Sequence, residues 1–541
     1  MAKYVYGIDL GTTYSCIARI NDNGSPEVIK NKEGSNTTPS VVFFDGKEIV
    51  VGRVAKDNTI LEPENTISFV KTLMGKSDFA INYDGRDITP AEISSYILRK
   101  VANDAADITG QEVKDVVITV PAYFGAAERQ ATEKAGKLAG LNVLSIISEP
   151  VAAAIYYGIT NQTETKNILI YDLGGGTFDV TVMKIMPGTI EVICADGNHD
   201  LGGKNWDGAI QEYLYEQFKD QSNFDGELDP ADLQDLALKA EKAKMELTER
   251  ESTKIPMAFS GLKARVELTR DKFDELTAEL LDLTITLTDN VIEIAKSKGV
   301  NVDQILLVGG STRMPQVSKI LKSKYGMDPS ILDPDEAVAK GAAIYATDVY
   351  INGKDGINVT KGGGNNEEPP RPVNTIGGSG GDNQNASTTI IFSTTKSYGV
   401  KATSGADNKQ YIFNQILKNV SLPGGSISVS NEFGVSVNNQ QNALIEIYES
   451  DSDKEQMDVI EDLKLGDAIL DLPPGMEFGR DQIILTLTLD SSGNLHVHGE
   501  AELNGVRKEV DANLIAKGII SEEAFEKIKE EMKSSGLVMQ R

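Results

Sequence analysis

The sequence predicts an α/β region over its first 350 residues, followed by an antiparallel β region and one short helix. Apolar runs such as "VVITV" and "NILIYDL" alternate with helical patterns up to about residue 348, which is the layout of α/β proteins. Residues 351–388 then hold nine Gly, seven Asn and three Pro, a composition typical of a flexible connection. Beyond it, short segments of alternating polarity are separated by turns. At 541 residues the chain exceeds what one core supports, so about three or four folding units are expected.

Composition argues against several classes of function. The formal charge of -28 disfavours sequence-independent binding of nucleic acid, because phosphate binding needs a basic face. The first residues lack a signal-peptide layout and no run approaches about 18 apolar residues, so we expect a cytoplasmic protein without membrane contact. The two cysteines, Cys16 and Cys194, cannot form a disulfide framework. The three histidines lack zinc-like spacing with Cys, Asp or Glu, so histidine-based chemistry is not expected.

The β region has its own local signals. The stretch "LDSSGNLHV" predicts a hairpin whose strands are joined through Ser491 to Asn494. A closing helix is predicted from Ser521, as N-cap, to about Lys533. It places three apolar side chains on one face: Phe525, Ile528 and Met532.

Two segments of the α/β region share a pattern that indicates internal duplication. "VYGIDLGTTYSCIARI" and "LIYDLGGGTFDVTVMKI" each run from an apolar strand through Asp-Leu-Gly and a turn of small residues into a second strand. Their aspartates, Asp9 and Asp172, are 163 positions apart. A lone glycine triplet is more often a tight hairpin than a ligand site. Its recurrence with the same preceding aspartate favours a ligand site instead.

The chemistry of these turns points to a polyphosphate. The bare backbone of Gly174, Gly175 and Gly176 exposes N–H groups that phosphate oxygens can approach without interference from a Cβ atom. Asp9 and Asp172 at the strand ends suit a hydrated Mg²⁺, which prefers carboxylate oxygens and keeps several waters. A third Gly-rich turn, "LLVGGSTRMP", also follows an apolar strand. The pattern predicts nucleotide hydrolysis.

Six blocks carry a family resemblance: "GIDLGTTYS", "VPAYF", "SEPVAAAIYYG", "DLGGGTFDV", "LLVGGSTRMP" and "DPDEAVAKGAA". In this order they resemble the 70-kDa heat-shock chaperones of the DnaK type. The resemblance implies an actin-like ATPase domain, which is a duplicated ribonuclease H-like fold, followed by an all-β sandwich that binds extended hydrophobic peptides. It also implies an ATP-dependent chaperone of protein folding and the stress response, with slow Mg²⁺-dependent ATP hydrolysis. The short segment after Lys71 is similar to Gram-positive forms and suggests a bacterial source.

The resemblance gives the expected domain boundaries and cofactors. We expect four parts: an actin-like nucleotide-binding domain at 1–350, a Gly/Asn-rich linker at 351–388, a substrate-binding sandwich at 389–512 and a short C-terminal helix, a truncated lid, at 513–541. The expected cofactors are ATP/ADP and Mg²⁺, with K⁺ as a further candidate ion.

Site residues follow from the positions that match the family motifs. The catalytic set implied is Lys71, Glu149, Asp172, Thr177 and Asp179, with Lys71 positioning the attacking water and stabilising charge on the transferring phosphoryl group. Asp9 and Asp172 would hold Mg²⁺ through water. The nucleotide-binding residues implied are Asp9, Gly11, Thr12, Thr13, Tyr14, Gly174, Gly175, Gly176, Thr177, Gly202, Gly203, Glu241, Lys244, Thr248, Gly309, Gly310, Ser311, Arg313 and Asp335.

Other matched positions concern the peptide and the coupling between domains. Pro121 and Arg129 match the family's pair that relays the nucleotide state to the domain surface. The peptide channel implied is lined by Val400, Thr403, Phe433, Ser436, Ala443 and Ile445. The expected partners are unfolded or extended polypeptides and a nucleotide-exchange factor, without nucleic acid or membrane.

Several departures from the family pattern concern the partner surface and the lid. The linker reads "TTIIFSTTKS", in which Ile390, Ile391 and Phe392 can still dock as a strand but the family's aspartate is absent. Ser145 stands where the family has an arginine that contacts the J-domain, and Lys184 lies in a usually acidic run. We therefore expect stimulation by a conventional J-domain cochaperone to be weakened, or the cochaperone to be atypical. The short lid predicts fast peptide release with small differences between ATP and ADP.

Other classes of function share some of these features. One is a client-restricted, chaperone-like protein with weak nucleotide coupling and little dependence on J-proteins. Sugar kinases and filament-forming actin relatives share actin-like phosphate loops. A kinase, however, would need a catalytic aspartate aimed at a substrate hydroxyl, and neither class needs a β-sandwich. Coupled assays with sugars and sedimentation with ATP separate these classes.

Overall fold

The computed structural model shows an α/β unit of two lobes and a β-sandwich packed against it. Predicted features that lie outside the described residues are the N-cap Ser521 and most of the linker at 351–388. The described residues are 4–76, 79–160, 164–353, 389–405, 407–514, 516, 522–534 and 538–539.

The first lobe extends to residue 160 and folds around a mixed sheet. Its strands are β1 (Tyr6–Asp9), β2 (Tyr14–Ile20), β3 (Pro26–Val28), β4 (Thr38–Pro39), β5 (Val42–Asp45), β6 (Glu48–Val51), β7 (Thr66–Ile67), β8 (Ile81–Tyr83), β9 (Arg86–Ile88), β10 (Asp115–Val120) and β11 (Asn142–Ser148). Its helices are α1 (Arg53–Asn58), α2 (Pro90–Thr109), α3 (Ala126–Leu138) and α4 (Glu149–Thr160). The main sheet has the order β11-β10-β1-β2-β3, with β4 paired to β2.

The second lobe repeats this plan. Its strands are β12 (Lys166–Leu173), β13 (Phe178–Met186), β14 (Thr189–Asn198), β15 (Ser252–Phe259), β16 (Leu262–Thr269), β17 (Gln304–Val308) and β18 (Ser330–Ile331). Its helices are α5 (Gly203–Ser222), α6 (Pro230–Glu249), α7 (Arg270–Leu276), α8 (Ala278–Ser297), α9 (Pro315–Tyr325) and α10 (Ala337–Asn352). The main sheet runs β18-β17-β12-β13-β14 and continues into two strands that follow the linker.

The topology of the two sheets supports the predicted duplication. β1 pairs antiparallel with β2 and parallel with β10. β12 pairs in the same way with β13 and β17. Helices α4 and α10 pack between the lobes, where glycine allows close approach. A Cβ atom at Gly341 would overlap the carbonyl of Ala152, and one at Gly7 would overlap the backbone of Ala343.

One helical region differs from the sequence prediction. The pattern from Asp274 to Gly299 reads as one continuous helix, but the structure separates α7 from α8 at Thr277, where φ is -113° and ψ is 10°. The buried Thr277 hydroxyl donates to the Phe273 carbonyl at 2.8 Å and accepts from Gln316 of α9 at 3.1 Å. This local bond and its distant partner compete with regular helix at that residue.

The β region forms the predicted antiparallel sandwich. Its strands, with the linker strand first, are β19 (Thr389–Ser393), β20 (Ser397–Thr403), β21 (Gln410–Ile416), β22 (Ser421–Leu422), β23 (Ser426–Gly434), β24 (Asn442–Ser450), β25 (Gln456–Asp458), β26 (Lys464–Asp471), β27 (Gln482–Asp490), β28 (Leu495–Leu503) and β29 (Val506–Asn513). The two sheets have the orders β25-β21-β20-β24-β26 and β23-β27-β28-β29. The hairpin predicted through Ser491 to Asn494 joins β27 to β28.

The C-terminal segment returns to the first lobe. The predicted closing helix is α11 (Glu522–Ser534), and strand β30 (Val538–Met539) pairs parallel with β6. Met532 packs against the core of the first lobe, and Glu531 lies 3.5 Å from Arg86. Phe525 is buried. Within the described ranges, no helix is both long and apolar enough to cross a bilayer.

Candidate functional site

The two glycine-containing turns face each other across the cleft between the lobes. A Cβ atom at Gly175 would overlap the Thr13 hydroxyl, and one at Gly176 would overlap the Thr12 side chain. On its other side the second turn is held by the start of α5, where the Gly203 amide donates to the Gly174 carbonyl at 2.9 Å. The bare backbone of the second turn therefore lies directly against the threonine side chains of the first, which brings the two turns together as a polyphosphate clamp requires.

Carboxylates from both halves of the duplication converge beside these turns. Asp9 ends β1 and Asp172 lies near the end of β12. The two duplicated strands thus carry their aspartates to equivalent edges of their sheets. Asp179 accepts from the Ala122 amide at 2.9 Å, and Glu149 begins α4. Lys71, held in a 3₁₀ turn and buried, forms an ion pair with Glu149.

The electrostatics of this cluster reflect an excess of negative charge. Burial, with a further contribution from Glu149, raises the pKa of Asp9 to about 7. The same causes hold the pKa values of Asp172 and Asp179 well above their usual range. For Lys71, burial lowers the pKa, but the surrounding carboxylates outweigh it and the pKa is raised. One lysine thus faces four acidic side chains, and a cation at this site would relieve their mutual repulsion.

Several polar atoms in the cleft fit a nucleotide with its magnesium. Among the residues that the structure describes, buried Thr13 Oγ1 and Asp179 Oδ2 have no hydrogen-bond partner. Within the described part of the chain, no three His, Cys, Asp or Glu side chains are placed to hold a metal ion directly. Mg²⁺ commonly keeps several of its waters and is bound through one or two carboxylates and substrate phosphates. The donor set is therefore suited to a hydrated ion shared with phosphate.

The third glycine turn lies against the second half of the site. Gly309 has φ of 83°, and a Cβ atom there would lie 2.5 Å from Asp172 Oδ1. Ser311 donates to the Gly174 carbonyl at 2.9 Å. Arg313 and Asp335 form an ion pair at 2.6 Å. The structure thus brings this predicted wall of the nucleotide pocket together.

On the opposite wall, α6 carries the other matched positions. Glu241 pairs with Lys56 of the first lobe at 2.7 Å, so this ion pair spans the cleft. Lys244 pairs with Asp207 and also donates to the Gly203 carbonyl at 3.0 Å. Thr248 donates to the backbone one turn earlier. The bridging role of Lys56 has no motif in the sequence, because its partner is 185 residues away.

A chain of contacts leads from the cleft to the sandwich. The Ala122 amide binds Asp179, and the Ala122 carbonyl accepts from Arg129 Nη2 at 3.4 Å. Arg129 Nε donates to the Phe124 carbonyl at 2.9 Å. A Cβ atom at Gly493, in the β27–β28 turn, would lie 2.7 Å from Arg129 Cδ. The Pro121–Phe124 turn thus lies between a carboxylate of the cleft and a loop of the sandwich.

The linker strand forms a second connection between the domains. β19 adds to the edge of the second-lobe sheet, with Ile390 opposite Ile190 and Ile391 opposite Glu191. Phe392 packs both against the apolar core around α4 and α10, between the lobes, and against the core of the sandwich. The expectation that this apolar segment docks as a strand is confirmed. Around it lie Lys418, which pairs with Asp196 at 3.0 Å, and Asn419, which accepts from the Ala195 amide.

The predicted peptide-lining residues divide into two groups. Val400, Ala443 and Ile445 are buried in the sandwich core. Phe433 packs on that core, with its ring centroid 6.0 Å from that of Phe413, while Thr403 and Ser436 are exposed. Among the described residues, sequence reasoning missed six exposed apolar side chains of the sandwich: Val437, Leu444, Ile460, Ile469, Phe478 and Val506.

Comparison with known proteins agrees with this geometry. The model of the Hsp70 protein family matches residues 5–355. Over 98% of the chain, the sequence is 37% identical to the chaperone protein DnaK of Thermosipho africanus and 36% identical to that of Thermosipho melanesiensis, covering 83% of each relative. It is 46% identical over 353 residues to the DnaK of Thermotoga petrophila, covering 64% of this chain and 59% of that one. With its duplicated clamp, carboxylate cluster and sandwich, the chain belongs to the Hsp70 family, of the DnaK type.

Proposed function

We propose that this protein is an ATP-dependent molecular chaperone that binds extended hydrophobic segments of unfolded polypeptides. The observation that carries the proposal is the contact path from Asp179 through Ala122 and Arg129 to Gly493. It joins a nucleotide cleft to a β-sandwich within one chain. The activity of a sugar kinase or of a filament protein does not require a connection between the nucleotide cleft and a β-sandwich. The alternative of a client-restricted chaperone gains no support from the fold or from the relatives.

The chemistry of the cleft is assigned to the clustered side chains. Bound Mg²⁺ would supply positive charge beside the phosphate groups. Asp9 and Asp172 would hold its waters. Lys71, kept charged by Glu149, would stabilise negative charge on the transferring phosphoryl group, while Asp179 and Thr177 would orient the attacking water. The turn residues, α5 and α6 side chains and the Gly309–Asp335 wall would bind the nucleotide.

The boundaries of the working parts are proposed from the sequence. We assign 1–350 to nucleotide binding, 351–388 to the linker, 389–512 to the sandwich and 513–541 to the C-terminal segment. Helix α10 continues to Asn352 and strand β29 to Asn513, each within two residues of these limits. A cytoplasmic location is part of the proposal, as is exchange of nucleotide with the help of a partner protein.

Peptide contact is assigned to one end of the sandwich. Val437 follows Ser436 and Leu444 follows Ala443 in the chain, so exposed apolar side chains adjoin the predicted contacts. The buried Val400, Ala443 and Ile445 would meet a peptide only when the strands around them part. Helix α11 contacts the first lobe, so in this conformation it leaves peptide release to the sandwich itself.

Release of a labelled peptide tests the function. Fluorescence anisotropy should show binding of an extended hydrophobic peptide and faster release in ATP than in ADP, by about fivefold, at the low end of ordinary coupling energies. In Lys71→Ala, ATP should still accelerate release, but the bound ATP should not be consumed. Lys263→Ala, at an exposed position of β16, is the matched control. Equal release in both nucleotides would refute the proposal.

Conventional J-domain stimulation is proposed to be weak. Ser145 is buried and its hydroxyl lies 3.4 Å from the neighbouring Ile146 carbonyl, so this position does not supply the long, charged side chain of an arginine. Lys184 on β13 places positive charge beside Glu191 on β14, the strand on which the linker docks. A basic J-domain helix would meet less negative charge here than on an acidic strand.

A further inference from the structure

The face of α3 that meets the sandwich carries two carboxyl groups side by side. The Gly125 amide donates to Glu128 Oε2 at 3.1 Å, and the next amide, that of Ala126, donates to Glu449 Oε2 at 2.9 Å. Glu128 belongs to the first lobe, whereas Glu449 is contributed by β24 of the sandwich. We call Glu128 and Glu449 the acid pair. It exists only when the two domains are docked.

The backbone is shaped to admit the second carboxyl. A Cβ atom at Gly125 would overlap Glu449 Oε1, so the space that any other residue would fill is occupied by the sandwich carboxyl. Ala126 joins the sandwich core through its methyl group. The docked position of Glu449 is therefore fixed both by a hydrogen bond and by shape.

Two cations, Lys396 and Arg129, lie near the acid pair and also have other partners. Arg129 directs its guanidinium to the carbonyl oxygens of Phe124 and Ala122. Lys396 pairs with Asp451 at 2.7 Å. Tyr398 of β20 hydrogen-bonds Glu449, and Asp490 of β27 adds negative charge near Arg129. Lys396 lowers the pKa of both carboxyl groups, but burial outweighs this effect and Glu128 repels Glu449, so the two groups cannot both ionise cheaply.

We propose that the acid pair holds one proton in the docked molecule, so that docking of the sandwich on α3 takes up a proton from solvent. Glu449 is then a positioning residue for communication between the domains, because the segment it caps follows the turn that binds Asp179. This inference concerns the docking step itself and goes beyond the proposed chaperone activity.

The direction of the pH dependence follows from the two states. Burial, followed by the neighbouring Glu128, raises the pKa of docked Glu449 to about 7, and the pKa of Glu128 is also raised by burial. Undocked, a glutamate in water titrates near about 4.3. Between these values the docked form binds a proton that the undocked form lacks. Docking therefore strengthens as pH falls, by about tenfold from pH 7.5 to pH 6.0, and this gain is absent above the docked pKa.

Resonance energy transfer in the full chain tests the inference. Dyes on Asp225→Cys of the second lobe and Asn442→Cys of the sandwich report docking, since both positions are exposed while Cys16 and Cys194 are buried. The wild-type docking constant should rise about tenfold from pH 7.5 to pH 6.0. Glu449→Gln and Glu128→Gln, which mimic the protonated acid, should dock well at pH 7.5 and lose the pH dependence. Glu502→Gln, at an exposed sandwich position, should behave as wild type.

Undocking of Glu449→Gln at both pH values, or a wild-type pH slope in both glutamine variants, would overturn the inference. Measurements with and without ATP separate it from the proposed function. If ATP leaves docking unchanged at every pH, the chaperone cycle fails, but the pH slope of the variants still decides whether the acid pair binds the proton.

Discussion

At the scale of residues, the clamp depends on the absence of side chains at Gly175 and Gly176. Their Cβ positions are already occupied by the two threonines of the opposite turn. This facing arrangement was predicted from the repeated Asp-Leu-Gly pattern, because a duplicated strand-turn-strand unit brings equivalent turns to equivalent edges. The repeat carries chemical information that a single turn lacks.

Replacing Gly175 with alanine should weaken nucleotide binding without unfolding the domain. Overpacking of this kind costs about 1–3 kcal/mol, so the Kd for ATP measured by titration calorimetry should rise about ten- to hundredfold. Gly208→Ala is the matched control, because Gly208 lies within α5 with open space around its Cβ position. It should leave ATP affinity unchanged and raise thermal stability slightly. Equal affinities in the two variants would show that the turns do not form a clamp.

The partners of Lys71 and Glu449 cannot be predicted from the sequence around either residue. By pattern alone Lys71 is an ordinary surface lysine, and only its family motif singles it out. The structure buries it against Glu149, 78 residues away. Glu449 has no motif at all, and its partner amide is 323 residues distant. Such pairings depend on how domains meet, which local sequence does not determine.

At the scale of elements, most strands and helices were predictable because their apolar periodicity is clear. The hairpin at Ser491–Asn494, the closing helix and the docked linker strand were all expected and are present. The break between α7 and α8 was not. The pattern continues through Thr277, and its interruption depends on Gln316 from a helix distant in sequence.

The edge formed by β13, β14 and β19 should respond poorly to a conventional J-domain. A bacterial J-domain should stimulate single-turnover ATP hydrolysis by this protein less than it stimulates hydrolysis by the DnaK of its own organism. Lys184→Asp should increase the stimulation by restoring negative charge at this edge. Lys263→Asp, on the distant β16, should not. Full stimulation of the unaltered chain would contradict the assignment of this surface.

At the scale of the whole molecule, two routes join the cleft to the sandwich. One passes from Asp179 through Ala122 to Arg129 and Gly493, and the other follows the linker strand along β14. The C-terminal segment adds a third contact by packing α11 and β30 on the first lobe. The sequence indicated that the domains communicate, but the contacts themselves required the assembled structure.

Hydrogen exchange at the β19 amides, read by mass spectrometry in ATP and in ADP, tests the central claim that nucleotide state reaches the sandwich through Arg129. We expect slower exchange in ATP than in ADP for the unaltered chain, because docking protects this strand. We expect the difference to become smaller in Arg129→Ala when ATP occupancy is matched by titration, because one of the two routes is lost. Equal exchange in the two nucleotides, or an undiminished difference in Arg129→Ala, would contradict the claim.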